Sequence, residues 1–486
     1  MPRGPGQSRR CMACRHLKKK CDLQLPRCSL CRHRCVECVY DQGPSFVHSQ
    51  APKGRGHNAT RTKITEGLLI LMIQALRRPV TTKSKQPLDI VLSDTLTEAA
   101  FEAKCLGLFW ESFLPFGRSI PETTISCASS GWTLLAQDLY LHEPILRNAL
   151  IAFALANVGK RDDKQWMRDA GLRIYGKALC RMRGALLNPL QVNYDGILVA
   201  TKIMSLFEMF HGDDRQDEAA QARAWVDHVK GGVAIFLGRG PKGCASGVSH
   251  RMFCDGRAIM VLPSIYTRKE SILSSPAWKQ VPWSLEPKSA TDNLVDILVD
   301  IPTFLEKLDD LQDETDVEKK RKLQEALLQT CWKYDRGLLA WFISFSPNKV
   351  ADNFEYEPDA EISMEDIART HTLNLYWTTC LILYNAMHRI AVSPTELPAR
   401  IDPLICCRNI VRSLPIFLKK NSGLWCLSIV LFPVGMALRF LSAEKDSDEY
   451  SRIRYFIDHE VQGFHLGQFL NSSRRNASAL LLHNSK

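Results

Sequence analysis

Residues 11–38 read CMACRHLKKKCDLQLPRCSLCRHRCVEC, and their cysteines decide how the rest of the chain is understood. With Cys35 set aside, Cys11, Cys14, Cys21, Cys28, Cys31 and Cys38 follow C-x2-C-x6-C-x6-C-x2-C-x6-C, so the second half repeats the first. A C-x2-C pair can place two sulfurs on one ion, and tetrahedral zinc with thiolate ligands is the usual result. Six thiolates are two short of filling two separate sites of four, but they suffice when two are shared, which makes a binuclear cluster. Cys35 competes for the sixth position, yet its spacing breaks the repeat that Cys38 completes. A disulfide scaffold would need an oxidising compartment, and residues 1–10 contain no apolar signal core. A redox C-x-x-C would sit beside a βαβ pattern, which is missing here.

The excess charge lies on the same arm. Of the formal net charge of +11 over 486 residues, residues 1–63 hold 14 Lys+Arg against 3 Asp+Glu, and the remainder balances at 49 against 49. Two Zn2+ ions with six thiolates subtract about two charges, so the arm stays basic. Counterion release from nucleic-acid phosphates is the natural use of such an arm. A solvated charged tail is the bland alternative, weakened by the zinc motif beside it. With 45% hydrophobic and 24% charged residues, the rest suits one large soluble domain or two medium ones. The other ten cysteines (Cys105, Cys127, Cys180, Cys244, Cys254, Cys331, Cys380, Cys406, Cys407, Cys426) show no ligand spacing. Most read as reduced core residues, which favours the cytosol or nucleus.

The arm resembles the fungal binuclear zinc cluster (Zn2Cys6) transcription factors. The resemblance is carried by the cysteine spacing, Arg15, Lys18 and Lys20 around the second and third cysteines, Asp22 after the third, Pro26 before the fourth, and Val39-Tyr40 after the sixth. It implies that Cys11 and Cys28 bridge two zinc ions, with Cys14 and Cys21 completing one and Cys31 and Cys38 the other. It implies also that two short helices cup the metals and that the first enters the major groove of double-stranded DNA, where Lys18 reads a CGG-type triplet. Lysine or arginine donating to guanine is the commonest specific base contact. Arg15, His16, Lys19 and Lys20 then lie on the phosphate side, fixing register. Leu17 departs from the second basic residue that many relatives carry. The run of residues 15–20 is too short for a stable free helix, so zinc must supply its folding energy. Arg9-Arg10 with Lys18–Lys20 would double as a nuclear import signal.

Three segments are expected: residues 1–42 as the DNA-binding domain, 43–92 as a basic linker, and 93–486 as an all-helical regulatory domain. Residues 41–63 are polar and rich in Gly and Pro, as a flexible linker requires. Residues 64–78 (ITEGLLILMIQALRR) admit a short dimerisation helix, as relatives often have here. The heptad pattern covers little more than two repeats, so a helix docked on the main domain is preferred. From Ser93 apolar residues recur at i, i+3, i+4, i+7 in segment after segment, with separate helices expected at 292–308, in a charged stretch near 313–330 and at CWKYDRGLLAWFISF (331–345), and alternating β-branched runs are scarce. The expected fold is mainly α. FWESFLP (109–115), His228–Gly232 with Arg239-Gly240-Pro241, SSPAWKQVPW (274–283) and LFPVGMALRF (431–440) resemble the helical regulatory domain of one group of these factors.

No P-loop, dinucleotide, nucleophile-elbow or zinc-protease motif occurs, so an enzyme is not expected. RGPKG (239–243) reads as a helix stop, His211–Asp214 as a polar loop, and His228 as a structural histidine. Glu208 is a candidate buried carboxylate, and Trp278 and Trp283 read as core. The uncharged run 423–438 is short for a membrane span and reads as a buried helix. The resulting expectation is a nuclear, sequence-specific regulator of RNA polymerase II transcription. Its expected partners are DNA, co-regulators, a small-molecule effector and a second copy of the chain, with no membrane. The alternative is a ligand-sensing scaffold whose cluster binds nucleic acid or protein without sequence preference.

Overall fold

The computed structural model describes residues 14, 19–22, 28–34, 94–121, 124, 130–188, 194–212, 217, 219–346, 361–391, 397–419, 421–442, 445–459, 464 and 467–473. The chain divides into two compact units, Met1–Lys85 and Gln86–Lys486. The first contains one described helix, α1 (Ser29–His33). Residues 64–78 lie outside the described residues.

The second unit is all helix among the described residues, with no extended strand, as expected. It begins with α2 (Asp94–Phe113), α3 (Gly131–Leu139), α4 (Pro144–Arg161), α5 (Gln165–Leu186), α6 (Asp195–His211) and α7 (Ala220–Gly243). Then come α8 (Gly247–Met260), α9 (Leu262–Thr267), α10 (Pro276–Gln280), α11 (Ala290–Leu298), α12 (Ile301–Asp313) and α13 (Val317–Phe345). The chain continues through α14 (Met364–Ile390), α15 (Pro403–Ser413), α16 (Gly423–Leu441) and α17 (Asp448–Asp458).

The starts of these helices follow from local chemistry. Ser289 and Ser363 each form a capping box, with Asp292 and Asp366 respectively, which satisfies amide donors that the first turn leaves open. Pro144 and Pro403 take first-turn positions, where a missing N–H costs nothing.

Two groups of helices make the core. In the first, α4 packs on α5, α6 and α2, while α7 lies along α6. The FWESFLP segment explains itself there. Phe109 and Phe113, one turn apart and fully buried, stack at 5.0 Å, and Phe153 of α4 meets them edge-on at 5.2 and 5.6 Å.

The second group surrounds α14, which touches α11, α12, α13, α15 and α16. It is buried along nearly its whole length, so its polar residues must find partners within the core. Thr378 and Thr379 donate to carbonyls four residues back, and Asn374 donates to Ser413. Gly423 starts α16 at φ +72°, where a Cβ would stand 2.5 Å from the Phe113 carbonyl oxygen. Glycine therefore allows the start of α16 to close against the end of α2.

Several expected elements take different limits. Residues 292–308 split into α11 and α12, because Pro302 starts a new helix at Ile301. The charged stretch near 313–330 and CWKYDRGLLAWFISF form one helix, α13. RGPKG stops the regular part of α7 as expected: the backbone leaves helical geometry at Gly240 (φ +68°, ψ 169°), and a separate turn follows to Gly243. The run 423–438 lies in α16, long and apolar enough to cross a membrane by composition, and it packs on α14, α15 and α2.

Candidate metal centre and nucleic-acid interface

Cys14, Cys28 and Cys31 are fully buried in the small N-terminal unit, and Cys21 and Leu30 pack against them. The sulfurs of the first three lie within 4.8 Å of one another. The Cys14 and Cys28 Sγ atoms are 3.5 Å apart, far beyond a disulfide's roughly 2.05 Å. A tetrahedral ion with Zn–S bonds near 2.3 Å holds its sulfurs about 3.8 Å apart. The donor set and its spacing fit zinc. Cys28 also belongs to a second cluster with Cys21 and the Asp22 carboxylate.

Local structure brings these atoms together. Cys28 immediately precedes α1 and Cys31 lies within it, so one turn of helix carries both sulfurs of a C-x2-C pair to one side. The Ser29 N–H donates to both Asp22 carboxylate oxygens at 3.2 and 3.1 Å, anchoring the start of α1 to the residue after Cys21. An acidic group at a helix start satisfies an open donor and complements the helix dipole. That gives Asp22 a structural role which the motif alone does not reveal. The Lys19 N–H donates to the Cys14 carbonyl at 3.1 Å, turning the chain back towards the cluster. Lys19, Lys20, His33 and Arg34 are exposed.

Four of the six expected ligands, Cys14, Cys21, Cys28 and Cys31, therefore converge. Cys11, Cys38 and the competing Cys35 lie outside the described residues, as do Arg15, His16 and Lys18.

In the helical unit, Glu208 accepts a 2.5 Å hydrogen bond from the Tyr175 hydroxyl, which is also 3.0 Å from His228 Nε2. Burial first, and then Glu208, push the Tyr175 hydroxyl well above its usual range. His228 thus has a structural partner. His211 corrects the polar-loop expectation: it ends α6 in edge contact with Phe153 and Phe464. Burial, helped by Lys160, pulls its imidazole down to about 3. Trp278 and Trp283 both pack on Phe253, and Arg257 lies over the Trp283 ring at 4.6 Å. Burial pushes the thiols of Cys105, Cys331 and Cys407 up to about 12, as inert core cysteines require.

A cluster of buried thiols flanked by exposed lysines on a small folded arm defines a zinc-dependent DNA-binding module. Residues 9–45 match the fungal Zn(2)-Cys(6) binuclear cluster domain, and residues 119–399 match the fungal specific transcription factor domain. The second match spans more than half of the chain, which belongs to the fungal-specific transcription factor family. Both matched families are transcription-factor domains rather than enzymes. No curated protein and no solved structure matches the chain.

Proposed function

We propose that this zinc-binding, DNA-binding transcription factor reads CGG-like triplets in the major groove and regulates RNA polymerase II transcription in the nucleus. Cys11, Cys14, Cys21, Cys28, Cys31 and Cys38 hold two zinc ions in this reading. Lys18 donates to guanine, while Arg15, His16, Lys19 and Lys20 meet phosphate. Residues 1–42 form the reading head, 43–92 the linker with its candidate pairing helix at 64–78, and 93–486 the regulatory domain. That domain answers to co-regulators and to a small-molecule effector.

The observation that carries the proposal is the convergence of the Cys14, Cys28 and Cys31 sulfurs beside exposed Lys19 and Lys20. Selection from random duplex DNA with the zinc-loaded chain tests it. Paired CGG-like triplets at fixed spacing would show a dimeric reader, and a single triplet a monomer. Salt-dependent binding with no enriched sequence would refute specific reading. On a selected site, Lys18→Ala should cost about 1–3 kcal/mol and relax specificity at that triplet. Zinc content measured by elemental analysis should be two ions per chain.

A further inference from the structure

Between α6, α7, α8, α9, α14 and α16 lies a mainly apolar cavity of about 130 Å3. Cavities near 150 Å3 hold a benzene ring, so the space suits a small hydrocarbon body. Its polar wall is unusual for a core. The Lys202 side chain lines it, with Asp255 as its electrostatic partner. Asp255 also lines it, but one of its oxygens already accepts from the Trp132 N–H at 2.7 Å, at the start of α3. Asp255 still faces Lys202 electrostatically, and with Lys230 the cations of the described lining outnumber its carboxylates.

Two further lining residues, His371 and Trp425, are 5% and 1% exposed. His371 Nδ1 and Trp425 Nε1 have no hydrogen-bond partner among the described residues. Buried polar atoms almost always have partners, and exceptions call for a missing one. Burial pulls Lys202 down to about 8, which leaves it charged at neutral pH. Burial and then Lys202 pull His371 down to about 4, so its imidazole is neutral there. Few polar groups converging on an apolar concavity are the usual make-up of a ligand site.

We propose that this cavity is the effector site of the regulatory domain, and that it takes a small apolar acid whose carboxylate pairs with Lys202. The inference rests on the reading of the chain as a ligand-controlled regulator, and it supplies the site and the chemistry. The hydrocarbon body fills the apolar space, and the carboxylate meets Lys202 on a wall where Lys202 and Lys230 face the carboxylate of Asp255. A carboxylate–ammonium hydrogen bond in such surroundings is stronger than a neutral one.

Calorimetric titration of the zinc-loaded full chain with octanoate, octanol and octylammonium tests the assignment. Octanoate should bind saturably, raise the melting temperature, and bind more tightly than either of the others. Lys202→Met should weaken octanoate about tenfold and leave octanol unchanged; Lys202→Gln repeats the test should the Met variant misfold. The proposal is overturned if octanoate fails to bind at millimolar concentration, or binds equally to well-folded Lys202 variants. Tighter binding of octylammonium would also overturn it, because Asp255 would then be the recognising charge. Duplex selection on the same preparation keeps the two readings apart. Selected triplets without octanoate binding remove the effector site alone, whereas octanoate binding without selected triplets removes only sequence-specific reading.

Discussion

The N-terminal unit and the helical unit bury different chemistry. In the first, the fully buried side chains among the described residues are sulfurs, Cys14, Cys28 and Cys31, gathered around a helix of five residues. Thiols at this spacing hold a fold together only through an ion, so the metal stands in for a hydrophobic core. In the second, the buried groups are rings and aliphatic chains: Phe109, Phe113 and Phe153 in one cluster, and almost the whole of α14 in another. There the area removed from water stabilises the fold, and polar residues are tolerated where they are bonded. A small module cannot bury enough apolar surface to order itself, whereas the longer chain can.

This contrast can be broken most directly at the metal. Chelation of zinc, or Cys28→Ser, should abolish duplex binding while the far-ultraviolet dichroism and melting of the helical unit stay nearly unchanged. Structural zinc contributes on the order of 10 kcal/mol to such modules, so no smaller effect is expected. Loss of helical-unit stability in the same titration would show that the two units do not fold by separate means.

Asp335 is the next largest test. Its carboxylate, 1% exposed, accepts from Arg400 at 2.6 and 2.7 Å and from the Tyr384 hydroxyl at 3.0 Å. Asp335→Ala would strand Arg400 and Tyr384, and should cost about 3–5 kcal/mol in denaturant unfolding. Duplex affinity should not move. A cost below about 1 kcal/mol would mean that water reaches the site and that this part of the core is looser than its burial indicates.

Acid unfolding gives a smaller effect with a defined sign. His371 and His211 titrate near 4 and 3 in the fold, below the ordinary histidine value of 6.5. Their contribution is present above 6.5 and is lost as pH falls through those lower values. Asp255, raised by burial to about 7, acts in the opposite sense. Its contribution is full below 3.8 and is lost as pH rises through 7. Stability of the helical unit should thus fall by a few kcal/mol between pH 6.5 and 4, and His211→Phe should flatten that fall. An unchanged slope in the variant would remove His211 from the account.

The smallest effect is expected at the exposed lysines. Lys19→Ala should lower the salt dependence of duplex binding by about one phosphate contact and leave both sequence preference and thermal stability where they were. A change in sequence preference would move Lys19 from the phosphate side to a base edge.

Much of this architecture was legible because it is local. The C-x2-C pair at Cys28 and Cys31 needs only one turn of helix. Less was legible where neighbours decide. α8 (Gly247–Met260) was not anticipated, and His211 was placed in a loop although its ring lies among Phe153, Phe207 and Phe464. The amphipathic pattern also failed to separate α11 from α12, because apolar residues continue across the break at Asp300.

By itself the sequence determined a zinc–thiolate arm carrying all the excess positive charge, and a helical domain behind it. Ligand spacing, net charge and helical periodicity are properties of neighbouring residues, and they survive without a fold. Only the tertiary structure decided which polar groups share an interior. Lys202, Asp255, His371 and Trp425 come from four helices and span more than two hundred positions, yet they line one cavity. No local pattern encodes that meeting, because packing of whole helices brings the four together.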